Sequence, residues 1–122
     1  MHRIRILLVT AFVVLALAVA GAVQASVQST GKLVGTTGPG FTITLTKSGT
    51  PVKTLKAGTY KITVNDKSTS HNFHLIGPGV NKTTSVAGTG TVTWKVKLAK
   101  GKYTYRCDIH FASGMIGHFK VK

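Results

Sequence analysis

A chain of 122 residues is long enough for one modest core and too short for two. Its 16 Lys and Arg stand against two acids, a formal net charge of +14. Paired-carboxylate catalysis would have to rest on Asp66 and Asp108 alone, and the single cysteine, Cys107, excludes an internal disulfide.

The first segment is not domain-like. Met1-His2-Arg3-Ile4-Arg5 is basic, and Ile6 to Ala20 is apolar apart from Thr10. Small residues follow, with Ala20-Gly21-Ala22 and Val23-Gln24-Ala25 as cleavage sites. That is the layout of a secretory signal peptide. It predicts a signal over 1–25, a domain over 26–122, and export to the periplasm, cell envelope or exterior. The alternative is an uncleaved membrane anchor, for which the apolar run is at the short end of the roughly 20 residues needed. Arg3 and Arg5 are not adjacent, which favours the general export route over a twin-arginine one.

Ser26 to Thr30 is polar, and Lys32 to Gly35 predicts a short first strand. Gly38-Pro39-Gly40 breaks the chain. Phe41 to Leu45 alternates like a half-buried strand. Lys47 to Pro51 reads as a turn, with Val52 to Leu55 pairing back across it. Tyr60, Ile62 and Val64 line one face of another strand, and Asn65 to Ser70 is a polar connector. His71 to Ile76 is strand-like, and Val80 to Gly90 reads as loop with at most a brief strand. Thr91 to Leu98 is the clearest alternation, with Val92, Trp94, Val96 and Leu98 on one face. Lys100-Gly101 then predicts a hairpin onto Tyr103 to Cys107. Gly117 to Val121 is the final strand, with Phe119 and Val121 inward. No helical stripe of useful length follows the leader. The turn spacing predicts an all-β Greek-key β-sandwich of about seven or eight strands.

Between the last two strands lies the densest chemistry. Cys107, His110 and Met115 offer thiolate, imidazole and thioether, the ligands copper prefers. The spacing Cys-x-x-His-x-x-x-x-Met fits a loop that presents all three to one point. His71, in Ser70-His71-Asn72-Phe73, is the candidate fourth ligand. Each residue alone has a plainer fate: His71 as a core histidine satisfied by backbone, Met115 as core packing, His110 on the surface, Cys107 as a buried inert thiol. His74 and His118 are left out. Strand residues three apart face opposite sides, so His74 is predicted to point away from His71.

Together these residues resemble the copper-binding loop of the cupredoxins, most of all the plastocyanin and pseudoazurin branches. Tyr105 matches an aromatic two residues before the cysteine, Gly114-Met115-Ile116-Gly117 a run after the histidine, and His71-Asn72 an upstream pair. The resemblance extends from about Ala57 to Lys122. It implies a cupredoxin-like sandwich with one copper per chain, held by His71, Cys107, His110 and an axial Met115. It also implies that the Asn72 side chain ties two loops together while its N–H donates to the Cys107 sulfur. Many relatives have proline where this chain has Ile109. Its N–H, which proline would lack, is predicted to be a second donor to the sulfur.

The expected function is therefore that of an exported one-electron carrier, not an enzyme. The alternatives are a copper-binding or copper-delivery protein of the cell envelope and a metal-free structural sandwich. The resemblance implies an apolar patch around the loop histidine, here Ile109, Phe111 and Ala112, through which electrons leave. The lysines are either a solvated surface or the attraction for an acidic redox partner or an anionic cell surface. Nucleic acid is not expected, because the lysines are scattered and Arg106 is the only arginine after the leader. A monomer is expected.

Overall fold

The computed structural model describes residues 20–21 and 30–122. Apart from Ala20 and Gly21, the predicted signal peptide lies outside the described residues, as does its cut after Ala25. The strands are β1 (Gly31–Thr37), β2 (Ile43–Lys47), β3 (Thr50–Pro51), β4 (Thr54–Leu55), β5 (Gly58–Asp66), β6 (His74–Gly77), β7 (Val80–Thr83), β8 (Gly90–Leu98), β9 (Gly101–Arg106) and β10 (Ile116–Val121). A single 3-10 turn, Phe111–Ser113, interrupts the last connection.

Two sheets form, in the orders β3-β2-β1-β5-β8 and β4-β10-β9-β6-β7. Their inward positions alternate with period two. Tyr60, Ile62 and Val64 of β5 and Leu33 of β1 face Phe73, Leu75, Tyr103, Phe119 and Val121, and all are buried. The architecture is the predicted all-β sandwich. Between the sheets, Phe73 stacks on Tyr105 with ring centroids 5.7 Å apart, and Tyr103 stacks on Phe119 at 5.1 Å. Two cross-strand glycines make room for these rings. A Cβ at Gly77 would strike the Tyr103 ring, and one at Gly117 would strike the ring of Tyr105, its ladder partner.

Several local expectations change. β8 and β9 do not form a hairpin: β8 pairs with β5 in one sheet, while β9 pairs with β6 and β10 in the other. A short link predicts pairing, but here Ala99 and Lys100 carry the chain across the core. The segment after the turn at Ser48-Gly49 splits in the same way. β3 pairs back onto β2, and β4 crosses to run parallel to β10. In the Val80 to Gly90 stretch, the brief strand that the sequence allows is Val80 to Thr83, an edge strand against β6. The inward stripe of β8 holds only at its far half. Val96 and Leu98 are buried, whereas Trp94 is half-buried and Val92 exposed beside a groove of about 270 Å³ bounded by Thr83, Thr84 and Ser85.

Candidate metal centre

The β9–β10 connection leaves and re-enters one sheet at the ladder pair Arg106–Ile116. Just beyond that rung the Cys107 N–H donates to the Met115 carbonyl at 3.0 Å, so the two residues face each other across the base of the loop. The Met115 and Ser113 N–H groups both donate to the His110 carbonyl. Gly114, in the left-handed region at φ 96°, closes the 3-10 turn. A nine-residue excursion thus fastens itself with backbone bonds and turns Cys107 and His110 toward one point, with Met115 buried at its end.

His71 reaches that point from the connector between β5 and β6. Its Nδ1 lies 2.9 Å from His110 Nδ1, and Cys107 Sγ lies 3.8 Å from each of those nitrogens. A point about 2.1 Å from all three atoms closes this triangle, within the range of roughly 2.0–2.3 Å typical of metal bonds to nitrogen and thiolate sulfur. Cys107 and Met115 are fully buried, His71 nearly so, and His110 is half-buried. Two imidazoles and one thiolate in a near-trigonal plane, with a buried thioether on the same loop, are the donor set of a type 1 copper site.

Residues 49–122 match the copper binding proteins of the plastocyanin/azurin family. The chain belongs to that family. Among solved structures, reduced rusticyanin is 22% identical, with a TM-score of 0.57 over 75% of this chain and 78% of that one. Rusticyanin from Thiobacillus ferrooxidans is 22% identical, with a TM-score of 0.53 over 75% of this chain and 76% of that one. A multi-copper oxidase from Pediococcus acidilactici is 20% identical, with a TM-score of 0.53 over 81% of this chain but only 28% of its own length. At these identities the likeness is one of fold. No curated protein sequence matches. In this copper-binding family the His71–Cys107–His110 triangle is a type 1 copper site, and copper is the cofactor that its donors fit.

Around the triangle the expected link between loops is present. Asn72 donates through Nδ2 to Asp108 Oδ2 at 2.9 Å and to Thr83 Oγ1 at 3.0 Å, and its Oδ1 accepts the Asp108 N–H at 2.8 Å. The predicted donors to the sulfur are not there. Among the described residues Cys107 Sγ makes its polar contacts with the two imidazoles, and neither the Asn72 nor the Ile109 N–H reaches it. Ile109 sits within the turn with its side chain 56% exposed.

His74 lies outside the donor triangle, as expected, but not for the reason of strand alternation. His71 precedes β6 and is not in a strand, so two-residue alternation does not govern the pair. His74 Nδ1 lies 2.8 Å from Asp108 Oδ1, and its Nε2 lies 2.5 Å from Asn81 Oδ1. It is no member of the donor triangle, but it secures the loop that carries two of its members. Arg106 Nε completes the cradle at 3.0 Å from Asp108 Oδ1. Burial pushes the Asp108 carboxyl up, yet hydrogen bonds from His74, Asn72 and Arg106, with the charge of His74, outweigh it and hold the group below the ordinary carboxylate value. His118 is an exposed β10 residue that meets Thr104, as expected of a residue outside the site.

Phe41 has no place in the sequence-based site, yet it covers it. It precedes β2, with its ring edge-on to His110 at 4.7 Å and to His71 at 5.3 Å. Gly38, with φ 68°, lets the turn close in, because a Cβ there would come within 2.8 Å of Ser68 Cβ and 3.3 Å of His71 Cδ2. The Gly38-Pro39-Gly40 signal located the turn but not what it leans on. Phe41 joins Ile109 and Phe111 as an exposed apolar cap at this end of the sandwich, with Arg106 stacked 4.7 Å over the Phe111 ring.

Proposed function

We infer that this type 1 copper protein is an exported one-electron carrier, with His71, Cys107, His110 and axial Met115 as its ligands. The observation that carries this reading is the combination of a buried thiolate with one half-exposed imidazole, His110, beneath an apolar cap. Copper bound there supplies a couple between Cu(I) and Cu(II). Cys107 and Met115 are sealed from water, and His71 is clamped between Gly38 and the His110 ring, so the donors hold one compromise geometry for both states. His110 is the exit, since it alone of the three triangle members has an exposed edge. Phe41, Ile109 and Phe111 give a partner a surface from which water is easily expelled, and the overall positive charge speeds encounter with an acidic redox partner. Acid–base chemistry has no paired carboxylates to draw on, which supports a non-enzymatic role.

The test is to load the protein with Cu(II) and record its visible spectrum and voltammogram. An intense blue thiolate-to-copper band, lost in Cys107→Ala, with a reversible one-electron wave is the expected result. A band without a reversible wave, together with rapid surrender of Cu(I) to a chelator, would favour copper delivery over electron transfer.

A further inference from the structure

Exposed lysines stand abreast on both sheets: Lys32, Lys61 and Lys95 form one row across β1, β5 and β8, and a larger group of six gathers on the other sheet. On β10 and β9, Lys120 lies directly opposite Lys102, and the same register sets Lys122 beside Lys100. The β4 flank adds Lys53, whose carbonyl accepts the Lys120 N–H, and Lys56. All six side chains are exposed, on the outer face of one sheet at the end away from Cys107. Five of them, all but Lys56, rim two shallow depressions of about 400 and 580 Å³. Like charges opposite each other in a ladder destabilise it. The chain also leaves this group without carboxylates. Asp66 is buried and bonded to Ser68 and Thr84, and Asp108 is taken up by His74, Arg106 and Asn72. No feature of folding calls for such a cluster.

We propose that this lysine face docks on a bilayer rich in anionic phospholipid headgroups, leaving the opposite, copper-bearing end turned away from it. The patch is the outer face of a sheet, and among the described residues every exposed large apolar side chain lies outside it, so it lacks the aromatic or aliphatic anchors of a protein hot spot. Its cations are lysines, point charges suited to a diffuse layer of headgroups, whereas bidentate recognition of single phosphates favours arginine. The chain's own path agrees. The Thr30 N–H donates to the Thr59 carbonyl, and β1 starts opposite Tyr60, close to where the Ala57 N–H meets the Lys122 carbonyl. Thr30, the first described residue of the domain, thus lies at the basic end. Along β9, roughly 20 Å of strand separates that end from the metal centre.

The experiment is flotation of the full chain with vesicles of phosphatidylcholine alone or mixed with phosphatidylglycerol, across a range of salt. Two variants accompany it: Lys100, Lys102, Lys120 and Lys122 all changed to Gln, and a control with Lys32, Lys61, Lys67 and Lys82 changed to Gln. All three proteins share the same leader, so its contribution cancels, and near-UV circular dichroism checks that each is folded. The expected result is salt-sensitive binding to the mixed vesicles, weakened roughly a hundredfold or more by the patch variant and far less by the control. Equal weakening by both variants would reduce the effect to bulk charge and overturn the proposal. So would equal binding to neutral vesicles, or a patch variant that binds like the parent.

Discussion

Phe41 shows what a single side chain contributes at this site. It is 61% exposed, so folding gains little from it, yet its ring edge rests on both imidazoles. Phe41→Ala should therefore barely move the thermal midpoint, since an aromatic pair contributes about 0.5–1.5 kcal/mol at most. It should speed copper loss to a chelator several-fold by opening His110 to water. An unchanged loss rate would show that the ring merely decorates the surface. Sequence reasoning missed Phe41 because its alternation with Ile43 and Leu45 mimics a strand. The ligands were legible for the opposite reason: cysteine, histidine and methionine at fixed spacing carry their chemistry in their identities, whatever the fold does.

Among elements, the loop after β9 depends on the connector before β6. Asn72 joins them through two hydrogen bonds to Asp108, and a third ties it to Thr83 of β7. Asn72→Ala strips the Asp108 N–H and carboxylate of a partner, which costs about 1–3 kcal/mol. For a domain of this size the melting midpoint should fall by roughly 4–8 °C for each kcal/mol. The apo protein should show the same fall, because the link does not involve the metal. A shift confined to the copper-loaded form would contradict this account. The elements themselves were mostly readable, because period-two alternation marks β5, β9 and β10 clearly. Pairing was not. Sequence adjacency suggested a β8–β9 hairpin, but a two-residue link serves equally well to cross from sheet to sheet, and only the burial of both faces decides between them.

At the scale of the whole molecule, the interior buries two phenols that must find partners. Tyr60 donates to the Lys56 carbonyl at 2.7 Å and Tyr103 to that of Ala99 at 2.8 Å. Burial raises both hydroxyls above their usual value, and for Tyr103 the bond to Ala99 offsets this only in part. A pKa raised in the folded state adds stability that is complete below the unfolded value, about 10, and fades as pH climbs through the folded one. Phenolate absorbance should thus lag that of free tyrosine on alkaline titration, and the last hydroxyls should ionise together with loss of the near-UV signal. Early ionisation with the fold intact would refute this. The net charge was plain from composition, but the group of six lysines was not, because Lys53, Lys100 and Lys120 become neighbours only through the β4–β10–β9 register.

The single rung formed by Arg106 and Ile116 makes the intervening nine residues a replaceable cartridge. The sandwich constrains where that cartridge plugs in, not how long it is. Shorter or longer inserts, seated between the same two residues, would let one unchanged sandwich host copper centres of different geometry, and the same socket offers an engineer a place to begin.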